Sequence, residues 1–316
     1  MAEIKFIMNM SIQAYGDRGA FFGGADATNT RVNTIDYISI STLGNATDFG
    51  DITVLKRGAS SFTNGTSDRA VCCGGSNNDA TPWDNVIDYV TLSTPGNATD
   101  FGDLTIGRHI PGGTSNKNDQ RGINGGGYYT SGFTNVIDYI TISTTGNAID
   151  FGDITVARRY FAARSNSTNQ RAVWMGGHNG SYQNVIDYRA INTLGNASDF
   201  GDMTATIANA AGASNGTYER GLAMGGTTGT SIKSIDYITI NSTGNAADFG
   251  DLTQTMNASG GTDNTTQNRA VIGGGVYNGT IDTVIEYITI NTLGNGADFG
   301  DLTLARQDLD GASNAG

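Results

Sequence analysis

The chain repeats itself six times at intervals of about fifty residues, and no other property limits its possible folds so tightly. An Ile-Asp-Tyr motif places its acid at Asp36, Asp88, Asp138, Asp187 and Asp236, with Glu286 in the sixth copy. Asp-Phe-Gly-Asp follows each time, centred on Phe49, Phe101, Phe151, Phe200, Phe249 and Phe299. Upstream lies Arg-x-x-x-x-Gly-Gly, opening at Arg18, Arg69, Arg121, Arg171, Arg220 and Arg269. Three landmarks in one order, six times over, mark a tandem array of one supersecondary unit.

Each unit divides into four short strands separated by turn residues. In the second copy these are expected near 55–62, 69–75, 86–91 and 101–105. The third, Ile-Asp-Tyr-Ile-Thr-Ile in its commonest form, is apolar on both faces, as in a sheet sandwiched between neighbours. The paired glycines place bare backbone where sheets approach closely. The Gly-Asn-Ala stretch ahead of Asp-Phe-Gly-Asp reads as the turn between strands three and four. A four-stranded unit with this period predicts an all-β, six-bladed β-propeller.

The chain ends suggest how such a ring closes. Leu304-Ala305-Arg306-Gln307 and then Gly311-Ala312-Ser313-Asn314 match Val156-Ala157-Arg158-Arg159 and Ala163-Arg164-Ser165-Asn166 of an internal first strand. The C-terminal strand is therefore expected to complete the blade that begins at Arg18. This assigns 13–316 to the propeller and leaves 1–12 as a surplus strand, alternating Ile4, Phe6, Met8, Met10 and Ile12, that is available for attachment. In the competing arrangement the N-terminal strand closes the ring and the C-terminus is a tail.

The acid of Ile-Asp-Tyr shares a strand face with apolar residues, so burial there requires a partner. The arginine of strand two recurs in all six copies, so six pairs between Asp36, Asp88, Asp138, Asp187, Asp236 and Glu286 and Arg18, Arg69, Arg121, Arg171, Arg220 and Arg269 are expected, for example Asp36 with Arg18 and Glu286 with Arg269, either within a blade or across to its neighbour. A second set of cations, Lys56, Arg108, Arg158 and Arg306, stands five residues after the Asp-Phe-Gly-Asp motif, with Ile207 and Met256 in the other two copies. Two roles stay open for these four: a basic ring that holds an anion at the mouth of the channel, or pairing with nearby aspartates.

Several function classes are disfavoured. A formal net charge of −12 opposes nucleic acid. The adjacent Cys72 and Cys73 form no disulfide framework and read as core residues. No apolar run reaches the length of a membrane span, and the N-terminus lacks the pattern of a signal peptide. His109 and His178 lack a repeated metal-ligand spacing. No nucleophile or acid–base set converges, so the chain is not expected to be an enzyme and no cofactor is expected. Calcium held by Asn45, Asp48, Asp51 and their counterparts competes with simple turn formation.

The order arginine, Gly-Gly, hydrophobic-Asp-Tyr, aromatic resembles the kelch repeat, with a longer interval after the tyrosine and Phe where Trp is usual. The wording of the copies, as in Asn135-Val136-Ile137-Asp138-Tyr139-Ile140 followed by Thr145-Gly146-Asn147-Ala148 and Asp150-Phe151-Gly152-Asp153, is similar to kelch-like proteins of marine tailed bacteriophages, notably those infecting cyanobacteria. The resemblance implies a virion structural protein in a tail appendage, fibre tip or capsid decoration. Its partners would be other virion proteins and a host-surface glycan or receptor.

Variation within the chain locates the candidate binding face. The segment between strands two and three differs in every copy, and carries Trp83, Tyr128, Tyr129, Phe133, His178, Tyr182 and Tyr277. Aromatic residues on variable loops of a rigid scaffold mark a binding surface, unless they pack down on the blade tops. A carbohydrate-binding propeller and a cellular kelch-type interaction scaffold are the alternative functions.

Overall fold

The alternation of β-branched and aromatic residues in Ile-Asp-Tyr-Ile-Thr favours extended backbone, and all six copies form the third strand of a four-stranded antiparallel sheet. The computed structural model describes residues 17–65, 68–77, 83–116, 120–166, 170–216, 219–264 and 268–314. The surplus segment expected at 1–12 lies outside them. The chain is all-β, with six four-stranded sheets in a propeller-like arrangement.

The second sheet is representative. Its strands run Ser60–Thr63, Arg69–Cys73, Val86–Thr91 and Thr99–Asp103, in that spatial order. The first strand is shorter than expected, because 55–59 form a link leading into the sheet. In the first sheet the innermost strand is C-terminal: Asp310–Ser313 pairs antiparallel with Arg18–Phe22, setting Gly19 opposite Ser313.

Apolar side chains fill the spaces between sheets rather than one central core. Phe22, Ile35 and Phe49 of the first sheet pack on Ala70, Cys72 and Val90 of the second. The same arrangement recurs between each successive pair of sheets. A sixth cluster joins Val271, Ile285 and Phe299 to Phe21, Ile38 and Ile40 of the first sheet. Cys72 and Cys73 are buried free thiols within this packing, and burial pushes the Cys72 thiol up to about 12.

Polar joints reinforce each apolar seam. The turn between strands three and four lies against the outer strand of the preceding sheet. Asn147 Oδ1 accepts from Asp103 N at 3.1 Å, and Gly146 N donates to Phe101 O at 2.8 Å. Gly102 has to be glycine: its φ is 147°, and an added Cβ would lie 2.5 Å from the Gly146 carbonyl oxygen. The asparagine bond recurs at every seam, ending with Asn45 to Asp301 N. The Asn45 oxygen is thus turned to a backbone amide. Among the described residues no group of three or more His, Cys, Asp or Glu side chains could hold a metal.

The arginine of strand two does not pair with the Ile-Asp-Tyr acid as expected. Asp36 stands opposite Phe21, while Arg18 stands opposite Ser39. Three residues of extended strand separate them, about 10 Å. Each arginine instead lies over the tyrosine of its own sheet, with distances of 4.3–5.0 Å to the ring centroid. It also donates to a carbonyl of the next sheet, as Arg121 does to Ile191 O at 3.0 Å and Arg269 to Ile40 O at 2.7 Å.

The acids are met by the second set of cations. Lys56, Arg108, Arg158 and Arg306 are fully buried. Lys56 Nζ lies 3.0 Å from Asp88, Arg158 Nη1 2.6 Å from Asp187 and Arg306 Nη2 3.1 Å from Asp36; Arg108 contacts Asp138. All four meet aspartates, so of the two roles left open for them the structure shows the pairing and speaks against an anion-holding basic ring. Asp236 and Glu286 face the copies carrying Ile207 and Met256, and accept instead from the backbone amide and hydroxyl of Thr204 and Thr253. Burial raises the Asp236 carboxyl above its ordinary range, against the lowering effect of Thr204.

The paired glycines tie this cation-bearing link to the sheet. Gly75 N donates to Arg108 O at 2.9 Å, and Gly74 and Gly75 adopt φ of 67° and 109°, which disfavour any side chain. Two positions beyond each buried cation site the links meet one another. The amides of Gly58, Ile110, Tyr160, Asn209, Ala258 and Asp308 each donate to the preceding member's carbonyl, and Gly58 donates to Asp308 O. All six have left-handed backbone, with φ between 52° and 63°.

Candidate functional site

The residue directly after each buried cation site anchors the next variable loop. His109 exchanges backbone hydrogen bonds with Tyr128, both 2.9 Å, and Arg159 does the same with His178 at 3.0 and 2.8 Å. Each loop is thereby held beside a link. In the third repeat, Tyr128–Tyr129 and Gly132–Phe133 form a short hairpin with Tyr128 opposite Phe133. In the fourth, His178 pairs with Tyr182.

This scaffolding brings five of the seven candidate aromatic positions into one chain of rings. Trp83 stacks on His109, with ring centroids 5.1 Å apart and planes 8° apart, and meets Tyr128 edge-on at 5.6 Å. Tyr128 packs on Phe133 at 5.1 Å, Phe133 lies 6.1 Å from His178, and His178 meets Tyr182 at 5.3 Å. The run spans loops of the second, third and fourth repeats. Trp83, Tyr128, Phe133, His178 and Tyr182 are all half-buried, packed against one another yet open to solvent on one side. These rings pack against one another on the loops without being fully buried.

The other two candidates stand apart. Tyr129 follows Tyr128 in a strand, so alternation turns it to the opposite face of the hairpin. Tyr277 belongs to the sixth repeat, where its hydroxyl lies 3.1 Å from Thr253 Oγ1.

Arg159 is the cation of this surface. Its guanidinium carbon lies 4.7 Å from the Tyr128 ring centroid, 5.8 Å from Phe133 and 4.6 Å from Tyr160. Burial, and then the positive charge of Arg159, pull the His178 imidazole below its ordinary value. His178 is therefore a neutral ring at neutral pH. Polar groups flank the run on the fourth repeat, where Gln183 Nε2 donates to Asn179 Oδ1 and Ser181 Oγ, each at 2.9 Å.

The six left-handed positions surround a small depression of about 70 Å³, lined by Ile110, Tyr160, Asn209 and Asp308 among others. Arg57 Nε lies 3.8 Å from Asp308 Oδ2. Burial raises the Asp308 carboxyl, opposed by the charges of Arg57, Arg159 and Arg31. Arg164 also lines the depression, donating to Gly261 O at 2.7 Å and lying 3.8 Å from Asp263.

Sequence reasoning missed His109, Arg159 and Tyr160 as members of the site. Their signal was positional: each directly follows a buried cation or comes one residue later, at positions that also differ among the six copies.

Searches against protein-family models and against curated proteins found no match to this chain. No helix among the described residues is long and apolar enough to cross a membrane.

Proposed function

We propose that the chain is a six-bladed kelch-like β-propeller, its ring completed by the C-terminal strand, that serves as a non-enzymatic binding protein of a bacteriophage virion. Support for the ring comes from the seams: apolar clusters and amide-to-carbonyl bonds run from each repeat to the next and from the sixth back to the first. The virion assignment, in a tail appendage, fibre tip or capsid decoration, rests on the resemblance of the repeats to kelch-like phage proteins.

One observation carries the binding role: the unbroken run of half-buried rings from Trp83 to Tyr182 across three repeats. Aromatic faces beside amide and hydroxyl groups suit the apolar faces and hydroxyl edges of sugars. Host-surface saccharide is accordingly the proposed ligand. Among the described residues no nucleophile–base pair adjoins the rings, which favours the binding reading.

Two measurements test this. Mass spectrometry of purified phage particles is expected to find the chain, and its absence from every particle fraction overturns the virion assignment. A glycan array is expected to show binding that Tyr128→Ala reduces at least tenfold. An array without binding overturns the saccharide reading.

A further inference from the structure

The cations of this chain fall into two main groups: those that meet an acid, and the six arginines of strand two, which lie over tyrosines and donate to carbonyls of the next sheet. Lys56, Arg108, Arg158 and Arg306 have buried aspartate partners, Arg57 reaches Asp308, and Lys233 lies 3.2 Å from Asp251. Arg159 lies over rings as the strand-two arginines do, but among the described residues its guanidinium meets neither an acid nor a carbonyl. Among the described residues no carboxylate lies within ion-pair distance of it, although the chain carries 30 acids against 18 Lys and Arg. Its Nε is buried without a hydrogen-bond partner, and its guanidinium is held in place by Tyr128, Phe133 and Tyr160. A planar, pre-oriented guanidinium with donors unspent is well suited to a bidentate oxyanion. Asp308 interacts electrostatically with Arg159, but also with Arg57 and Arg31.

We infer that the aromatic face takes an anionic saccharide, with Arg159 binding its carboxylate or sulfate while Tyr128, Phe133 and Trp83 carry the sugar rings. This rests on the saccharide reading above and narrows it. A saccharide is favoured over an acidic peptide by the neighbours of Arg159. Rings adjoin it on several sides, and amide and hydroxyl groups flank the run on the fourth repeat, as a sugar with apolar faces and hydroxyl edges requires. The anion also explains how an acidic protein selects its ligand. Over most of its surface a net charge of −12 repels polyanions, so only a ligand that fits beside Arg159 gains from its own charge.

The test is calorimetric titration of the full chain with four probes at low salt: a galacturonic acid tetramer, a sulfated galactose tetramer, a neutral galactose tetramer and a poly-glutamate decapeptide. At least one anionic tetramer is expected to bind ten or more times tighter than the neutral one, and which of the two binds better identifies the group. Arg159→Gln should bring that affinity down to the neutral value, while Tyr128→Ala weakens all three sugars together. Arg159→Lys keeps the charge but not the fork, and should retain only part of the preference; it serves where Arg159→Gln disturbs the packing, which melting curves report. Equal affinity for neutral and anionic tetramers overturns the inference and leaves the saccharide reading standing. Binding of poly-glutamate as tight as that of the sugars, and unchanged by Tyr128→Ala, assigns the face to peptide and overturns the inference. If no saccharide binds at all, both fail together.

Discussion

Arg158→Met removes one member of a buried ion pair while roughly keeping the volume of the side chain. Arg158 is fully buried, with Nη1 2.6 Å from Asp187 Oδ2, Nε 2.7 Å from Gly176 O and Nη2 3.2 Å from Trp174 O. Breaking a buried pair by removing one partner costs about 3–5 kcal/mol, because the remaining charge stays buried and uncompensated. Two features favour the lower end. Thr155 Oγ1 still donates to Asp187, and the chain itself holds Asp236 and Glu286 opposite Ile207 and Met256 with threonine donors alone. The expected cost is about 3 kcal/mol, which at about 2–4 °C per kcal/mol for a large domain lowers the melting temperature by about 6–12 °C. Urea denaturation and calorimetry of Arg158→Met, Asp187→Asn and the double variant form a thermodynamic cycle. The double variant should lose less than the two singles combined, since it leaves no lone charge. A cost below about 1 kcal/mol for Arg158→Met, or strict additivity, would refute the reasoning.

Asp236→Asn tests the acid without a cation. Its folded-state carboxyl is raised, so native structure favours the proton: this stability is present at acid pH and is lost as pH rises through the raised value. The variant should therefore melt above the parent at pH 7, with the gap closing toward pH 4; a constant gap would contradict this. Gly102→Ala should destabilise the seam by about 2 kcal/mol or more, from left-handed strain and the backbone collision, while Gly96→Ala, with open space around its added Cβ, should stay within about 0.5 kcal/mol. Urea midpoints compare the two, and equal losses would dismiss the clash. Deleting 307–316 removes the strand paired with Arg18–Phe22 and should abolish the parent's single melting transition; a parent-like calorimetric trace would show that another strand takes its place.

The sheets were legible because each is written six times, so chance resemblance in one copy is corrected by five others. The partner of the motif acid was not. An arginine present in all six copies looked like the natural choice over a cation present in four. Register decided otherwise: Arg18 stands opposite Ser39 rather than Asp36, and in four of the six sheets the cation arrives from the preceding link. Repetition identifies what is shared but does not indicate which shared groups touch. The aromatic face was legible for the opposite reason, as the segment where the copies differ. His109 and Arg159 escaped notice because links beside buried cations read as framework. Only the backbone bridges from His109 to Tyr128 and from Arg159 to His178 bring them to the loops.

The pairing of Asp310–Ser313 with Arg18–Phe22 also sets the mechanical behaviour of the domain. Arg18 N donates to Asn314 Oδ1 at 2.9 Å, so the two outermost described ends of the chain leave from the same end of one strand pair. Tension applied between them acts along the ladder's hydrogen bonds and opens it rung by rung from Gly19 and Ser313, rather than loading all rungs at once. Pulled from both ends, the domain has its weakest direction at the one sheet whose strands come from opposite ends of the chain. Pulled from one end against a ligand on the loop face, the load instead enters the seams, where arginine–carbonyl and asparagine–amide bonds share it around the array.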